Sequence, residues 1–346
     1  MKKRPFLILF IAAMIISPSA QAQQPISEAL LDQLDAAAAR AEDARKKAGD
    51  FESPSYFPSE WEAVETQYAQ ARSIPRATDA DVNRAIGAYN TAADSYDSIF
   101  MLTIPLYAQA REDEIMALRD MLIATGARVS FPEYLSPADR TSLLALDQYE
   151  AQDFYPARNS AARALLMYQA LTVGYDAWLL RWEINEREFE LYEPDQYDHA
   201  EEIAGNGLDA YRAGNIPIAM ESAEEALLRY RLVLFIAWAG YAELRSSLAE
   251  GERLAALDTK TDIASRDLFI MAESDNKAAQ DLLKLERYEE AAKLFINAEA
   301  MYVIASMSTM EKRGAAAAAI REAREKIEES GRIARRAEHS VEGGSQ

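Results

Sequence analysis

Apolar residues recur along this chain in long segments free of proline and rich in Ala, Leu, Glu, Arg and Met. These are the strong helix formers, so the body of the protein is predicted to be helical almost throughout. No run alternates apolar and polar residues over strand length, and no sheet is expected. Breakers cluster at Ser53-Pro54 to Pro58, at Pro75, at Pro105, from Ser130 to Pro137, at Glu193-Pro194 and at Gly214-Asn215. Those places are the predicted helix ends.

A repeat orders these helices. Ala138, Tyr149, Ala157, Ala161, Ala164 and Tyr168 recur 62 residues later as Ala200, Tyr211, Ala219, Ala223, Ala226 and Tyr230. A further 72 residues on stand Ala272, Ala291, Ala298 and Tyr302, with Leu283 and Phe295 replacing a Tyr and an Ala. Stepping back 72 from the second copy gives Ala85, Ala92 and Tyr96, so there are four copies. In each, a short turn such as Glu150-Ala151-Gln152-Asp153 or Arg212-Ala213-Gly214-Asn215 joins a first helix to a second. The second helix carries Ala at i, i+4 and i+7 and Tyr at i+11, a stripe on which another helix axis can approach closely. The tyrosine adds a large apolar body with a hydroxyl that can reach a partner. The unit resembles the helix–turn–helix of tetratricopeptide repeats, with a longer period and long second helices. The expected fold is all-α, an extended array of antiparallel helical hairpins.

The predicted organisation follows. Residues 1–22 read as a signal peptide, with basic Lys2, Lys3 and Arg4, the apolar run Phe6 to Ile16 and the small-x-small end Ala20-Gln21-Ala22. Residues 23–50 form an amphipathic helix with Leu30, Leu31 and Leu34 on one face and Gly49 as its stop, and 51–310 hold the four copies. Residues 311–339 form a helix rich in Ala, Arg and Glu, and 340–346 a disordered tail. The signal, the small-residue and Tyr hairpins and the final helix from Gly314-Ala315-Ala316-Ala317-Ala318-Ala319 to Arg336 resemble treponemal membrane protein B and similar spirochaetal envelope proteins. That resemblance implies an outer-membrane antigen with a suggested porin or transport role. A porin does not follow from these residues, because no series of alternating strand-length segments exists.

Charge and composition narrow the function. The formal charge is −20, against which a nucleic-acid partner would need a basic footprint. Zero Cys excludes disulfides, Cys-ligated zinc, iron–sulfur clusters and thiol nucleophiles. His199 and His339 are the two histidines, and neither has a second ligand at metal-binding spacing. Asp79-Ala80-Asp81-Val82-Asn83 opens like a calcium loop but has Arg84 where Gly is needed; Asp79 reads instead as a helix N-cap or first-turn acid. Gly205-Asn206-Gly207-Leu208-Asp209-Ala210 fits a dinucleotide fingerprint in letters only, since no strand precedes it; close helix packing is the reading of Gly207. No enzyme, metal or cofactor is expected.

Two surfaces remain as candidates. Tyr175, Trp178 and Trp182 stand at i, i+3 and i+7 and share a helix face, which is either core or the lining of a groove for a peptide or apolar ligand. Arg321, Arg324, Arg332, Arg335 and Arg336 make the C-terminal helix the one locally basic region. It reads either as an exposed helix laced by pairs such as Glu322–Lys326 and Glu328–Arg332, or as a docking segment for an envelope protein, cell wall or anionic membrane. The leading expectation is an exported, periplasmic interaction scaffold or tether, resting in the periplasm or against the outer membrane. The alternative is a ligand-binding component of envelope transport with a cavity inside the helices. A closed pocket lined by aromatics would favour the second; an open groove or flat face would favour the first.

Overall fold

The computed structural model describes residues 26–342, with side chains to residue 337, so the expected signal peptide lies outside the described residues. Among the described residues there are twelve α-helices, a 3-10 turn and no strand. In order they are α1 (Glu28–Asp50), α2 (Ser53–Tyr56), α3 (Pro58–Ser73), α4 (Asp79–Ala124), α5 (Ala127–Ser130), α6 (Pro132–Glu150) and α7 (Phe154–Glu186). After the 3-10 turn Phe189–Tyr192 come α8 (Pro194–Arg212), α9 (Ile216–Asp258), α10 (Thr261–Ala264), α11 (Arg266–Lys284) and α12 (Tyr288–Glu342). The chain is all-α, as its helix-former composition requires.

The chain divides into two compact units, one reaching Met116 and including Leu143–Ala162, the other made of Ala117–Ser142 and Arg163 onward. In the first unit, α1 buries Leu34, Ala37, Ala41, Ala44 and Ala48, alternating steps of three and four. Of these, Leu34, Ala37, Ala41 and Ala44 cluster with Val64 and Ala71 of α3 and Val82, Ala85, Ala92 and Tyr96 of α4. Leu31, expected on that face, is exposed and Leu30 is half-buried; the alanines carry the contact because they let the axes approach. A second cluster joins Phe51 to Phe100, Ile104 and Tyr107. Pro105, expected to break the chain, lies inside α4. Buried neighbours at Ile104 and Tyr107 hold the helix through the missing N–H.

The second unit shows the hairpin plainly. Tyr230 of α9 reaches Glu201 near the start of α8, while Ser222 of α9 abuts Gly207 near its end, so the helices run antiparallel. A Cβ on Gly207 would come within 2.9 Å of the Ser222 Cβ; close packing accounts for this glycine, and no nucleotide loop forms. Past its hairpin α9 continues and packs against α12, burying Ala237, Ala242, Ala249 and Ala256. By length and composition alone α9 could cross a membrane, but Val233, Leu234 and Trp238 sit with Ala237, Ala242 and Ala249 in the core.

Two corners recur. After each long helix a left-handed residue, Glu52, Gly126, Glu188 or Lys260, turns the chain into a single helical turn. Within the hairpins Gln152, Gly214 and Glu286 take the same left-handed conformation. The amide of the next residue then donates back to the short helix: Asp153 to Gln148, Asn215 to Ala210 and Arg287 to Leu282. At the start of α4 the cap is Thr78, which accepts from the Asp81 amide at 3.1 Å, leaving Asp79 as a first-turn acid.

The Ala-rich C-terminal segment is continuous with the last copy, since α12 runs unbroken from Tyr288 to Glu342. The change near residue 311 is one of burial: Thr309 is buried, and from Met310 to Ala337 every residue but Gly331 is exposed. The helix reaches Glu342 into the tail expected to be disordered, and 343–346 lie outside the described residues.

Candidate functional site

Each copy is closed by the same three side chains. In the third, Arg181 of α7 donates from Nε to Glu201 of α8 at 2.5 Å, and the Tyr230 hydroxyl of α9 donates to the same oxygen at 2.6 Å. The fourth repeats this with Arg253, Glu273 and Tyr302 at 2.6 and 2.8 Å, and the second with Arg119, Asp139 and Tyr168 at 2.8 and 2.6 Å. In the first unit, Arg45 grips Glu65 with two nitrogens, at 2.6 and 3.0 Å, and Tyr96 donates to it at 2.7 Å. Arginine always comes from the end of the preceding helix, the acid from the short helix and tyrosine from the next long one. One carboxylate thus ties three helices at a point where the tyrosine ring is fully buried.

The electrostatics fit a structural role. Burial pushes the Glu201 carboxyl up, but hydrogen bonds from Arg181 and Tyr230 outweigh it and hold the group below its ordinary range. Asp139 behaves likewise through Arg119 and Tyr168, and Glu65 is lowered first by its bond from Arg45. Burial, then the hydrogen bond to Asp139, pushes the Tyr168 hydroxyl up to about 12; Tyr96, Tyr230 and Tyr302 are raised for the same reasons. The tyrosines therefore remain protonated donors and the acids ionised acceptors, which is the charge-assisted form of such a bond.

In the third copy the tie forms the polar part of a cavity of about 370 Å³, all of whose lining residues belong to the second unit. Phe131, Tyr175 and Trp178 form an aromatic cluster there. Phe131 stands edge-on to Tyr175 at 5.7 Å and to Trp178 at 5.6 Å, and the latter two stack at 5.5 Å. The Tyr175 hydroxyl is spent on the Thr125 carbonyl at 2.7 Å, so its ring rather than its polar end is what the cavity meets. Gly174, Gly205 and Ala223 also border the space with little or no side chain. Its lining is mostly apolar, and it lies partly open to solvent rather than sealed within the core.

Of the three aromatic residues singled out by spacing, the structure brings Tyr175 and Trp178 together at the cavity. Trp182 is 55% exposed and does not line it. Arg321, Arg324, Arg332 and Arg335 stand exposed on the bare part of α12, as does Arg336. Of the two helix pairs expected there, Glu322–Lys326 forms at 2.7 Å. Ile320 and Ile327, seven residues apart, are both exposed. His199 is an exposed residue of α8, with Nδ1 at 3.7 Å from Glu202. Among the described residues no group of His, Cys, Asp or Glu is placed to hold a metal ion.

The Arg–acid–Tyr ties were missed by the repeat reading, yet their signal lies beside it. The acid directly follows the recurring small residue, as in Ala138-Asp139, Ala200-Glu201 and Ala272-Glu273, with Val64-Glu65 in the first copy. Arginine precedes that acid by 20 residues in every copy. Compared with protein-family models, with curated proteins and with solved structures, the chain matches none of them significantly.

Proposed function

We propose that this chain is a non-catalytic helical-repeat protein of the bacterial envelope that holds other envelope proteins, with the bare end of α12 as its docking segment. The observation that carries this reading is the contrast within one helix. Up to Thr309, α12 is core of the fourth copy, and Lys312 and Arg313 still bond to the Ala264 and Thr259 carbonyls; beyond them about seven turns of helix with Ile320 and Ile327 stand exposed. Ile320 and Ile327 at heptad spacing give this exposed helix an apolar seam, and its Ala, Arg and Glu residues suit a protein surface or an anionic one. The basic–apolar N-terminus and the resemblance to treponemal membrane protein B support placing it outside the cytoplasm. The test is in-cell crosslinking and pull-down of the tagged protein with and without residues 311–346. A discrete envelope partner lost on truncation is expected; the same free monomer from both forms would contradict the reading.

A second reading, a carrier of an apolar ligand within the helices, is favoured by the aromatic cavity of the third copy. The two are compatible in one molecule, since cavity and bare helix lie far apart in the sequence.

A further inference from the structure

The repeat supplies an internal reference for the cavity. Between the third and fourth copies the register is constant at 72 residues, fixed by Glu201 with Glu273 and Tyr230 with Tyr302. In that register Ala223, which borders the cavity, corresponds to Phe295, whose side chain is fully buried in the core. Gly205, whose Cβ would meet nothing within 4 Å, corresponds to Lys277, so the third copy carries less side chain along this border. The same hairpin can therefore be closed with a phenylalanine, where the second and third copies carry Ala161 and Ala223 and the third leaves a cavity beside it.

The chemistry of the lining identifies what would fit. About 370 Å³ is more than twice the ~150 Å³ of an apolar cavity that accepts benzene, so the space suits a two-ring aromatic or an equivalent hydrocarbon. Phe131, Tyr175 and Trp178 offer ring surfaces, while the polar part is the Arg181–Glu201–Tyr230 tie. Tyr230 and the Arg181 Nε are both committed to Glu201. The terminal nitrogens of Arg181 make no further hydrogen bond among the described residues, and they are donors. A second carboxylate there would meet the ionised Glu201, in a chain of charge −20. The favoured ligand is neutral and bears an acceptor.

We propose that this cavity is a binding site for a neutral apolar molecule of about two fused rings that presents one carbonyl-type acceptor to Arg181. The inference rests on the carrier reading of the cavity and adds the class of ligand. The probe is prodan, a neutral naphthalene ketone whose emission shifts to the blue in apolar surroundings, titrated against the full chain. 2-Dimethylaminonaphthalene, the same rings without the ketone, is the comparison.

The expected result is saturable one-site binding of prodan with a blue shift, weakened at least tenfold by Ala223→Phe and by the smaller Ala223→Leu. Both variants should melt cooperatively, as the fourth copy folds with Phe at this place. The ketone-free probe should bind about tenfold more weakly. Prodan binding that Ala223→Phe and Ala223→Leu leave unchanged, or no binding at all, would overturn the site itself. Equal binding of both probes, abolished by Ala223→Phe, would overturn the assigned acceptor while leaving the carrier reading in place.

Discussion

The third and fourth copies share a hairpin, a left-handed corner and an Arg–acid–Tyr tie, and they differ in how the space beside the tie is filled. In the fourth, Phe295 is fully buried and Ala279 and Leu283 stand where the third copy has Gly207 and Tyr211. In the third, Ala223 borders a cavity and Phe131, Tyr175 and Trp178 face it. The difference separates two jobs that one repeat performs. The tie fixes where three helices meet and is kept in all four copies; the filling is free to vary because the tie does not depend on it. The last helix extends the contrast, being core up to Thr309, tied by Lys312 and Arg313, and exposed beyond them.

The largest expected effect comes from removing the filling where it exists. Phe295→Ala should destabilise the protein by about 3–5 kcal/mol in denaturant unfolding, the usual result of truncating a buried ring. Next come Tyr230→Phe and Tyr302→Phe. Each deletes a hydrogen bond to a partly exposed carboxylate and should cost about 1 kcal/mol, alike in the two copies despite the cavity. Unequal losses would show that the third tie serves the cavity as well as the fold.

The ties also set an acid limit. Glu65, Asp139 and Glu201 have carboxyls lowered in the folded state, so their contribution is present above the ordinary carboxylate range of about 4 and is lost as pH falls through the lowered values. The melting temperature should drop steeply below pH 4, and Glu201→Gln should flatten that dependence while lowering the value at pH 7. Smaller again, Ala223→Phe should change stability by no more than about 1 kcal/mol, since it enters a space rather than a packed core. Deleting residues 314–346, which spares the bonds of Lys312 and Arg313 to the Ala264 and Thr259 carbonyls, should leave the melting temperature of the repeats within about a degree, because surface changes away from buried contacts act weakly.

Much of this fold was legible in the sequence for a physical reason: helix packing demands a small residue at each crossing, and the crossings recur. Ala164, Ala226 and Ala298 are all buried, and the four recurring tyrosines are each almost fully so. The arginines stand in the same register, Arg119 and Arg181 62 residues apart and Arg181 and Arg253 72 apart, but they lie on the preceding long helix, outside the hairpin whose residues were compared. The aromatic face was half legible. Helical spacing placed Tyr175 and Trp178 together, but it could not show that Trp182, one turn further, lies beyond the cavity. Nor can spacing reveal a void, which depends on what several helices leave unfilled. Pro105 is the opposite case, a strong local signal that buried contacts in α4 override.

The most direct test of the contrast between the two copies is to extract and identify by mass spectrometry the small molecules that co-purify with the full chain and with its Ala223→Phe variant. A neutral apolar compound carried by the natural chain and missing from the variant is the predicted result. Identical extracts from the two proteins, with no such compound enriched in either, would contradict the claim that the third copy is built around a ligand.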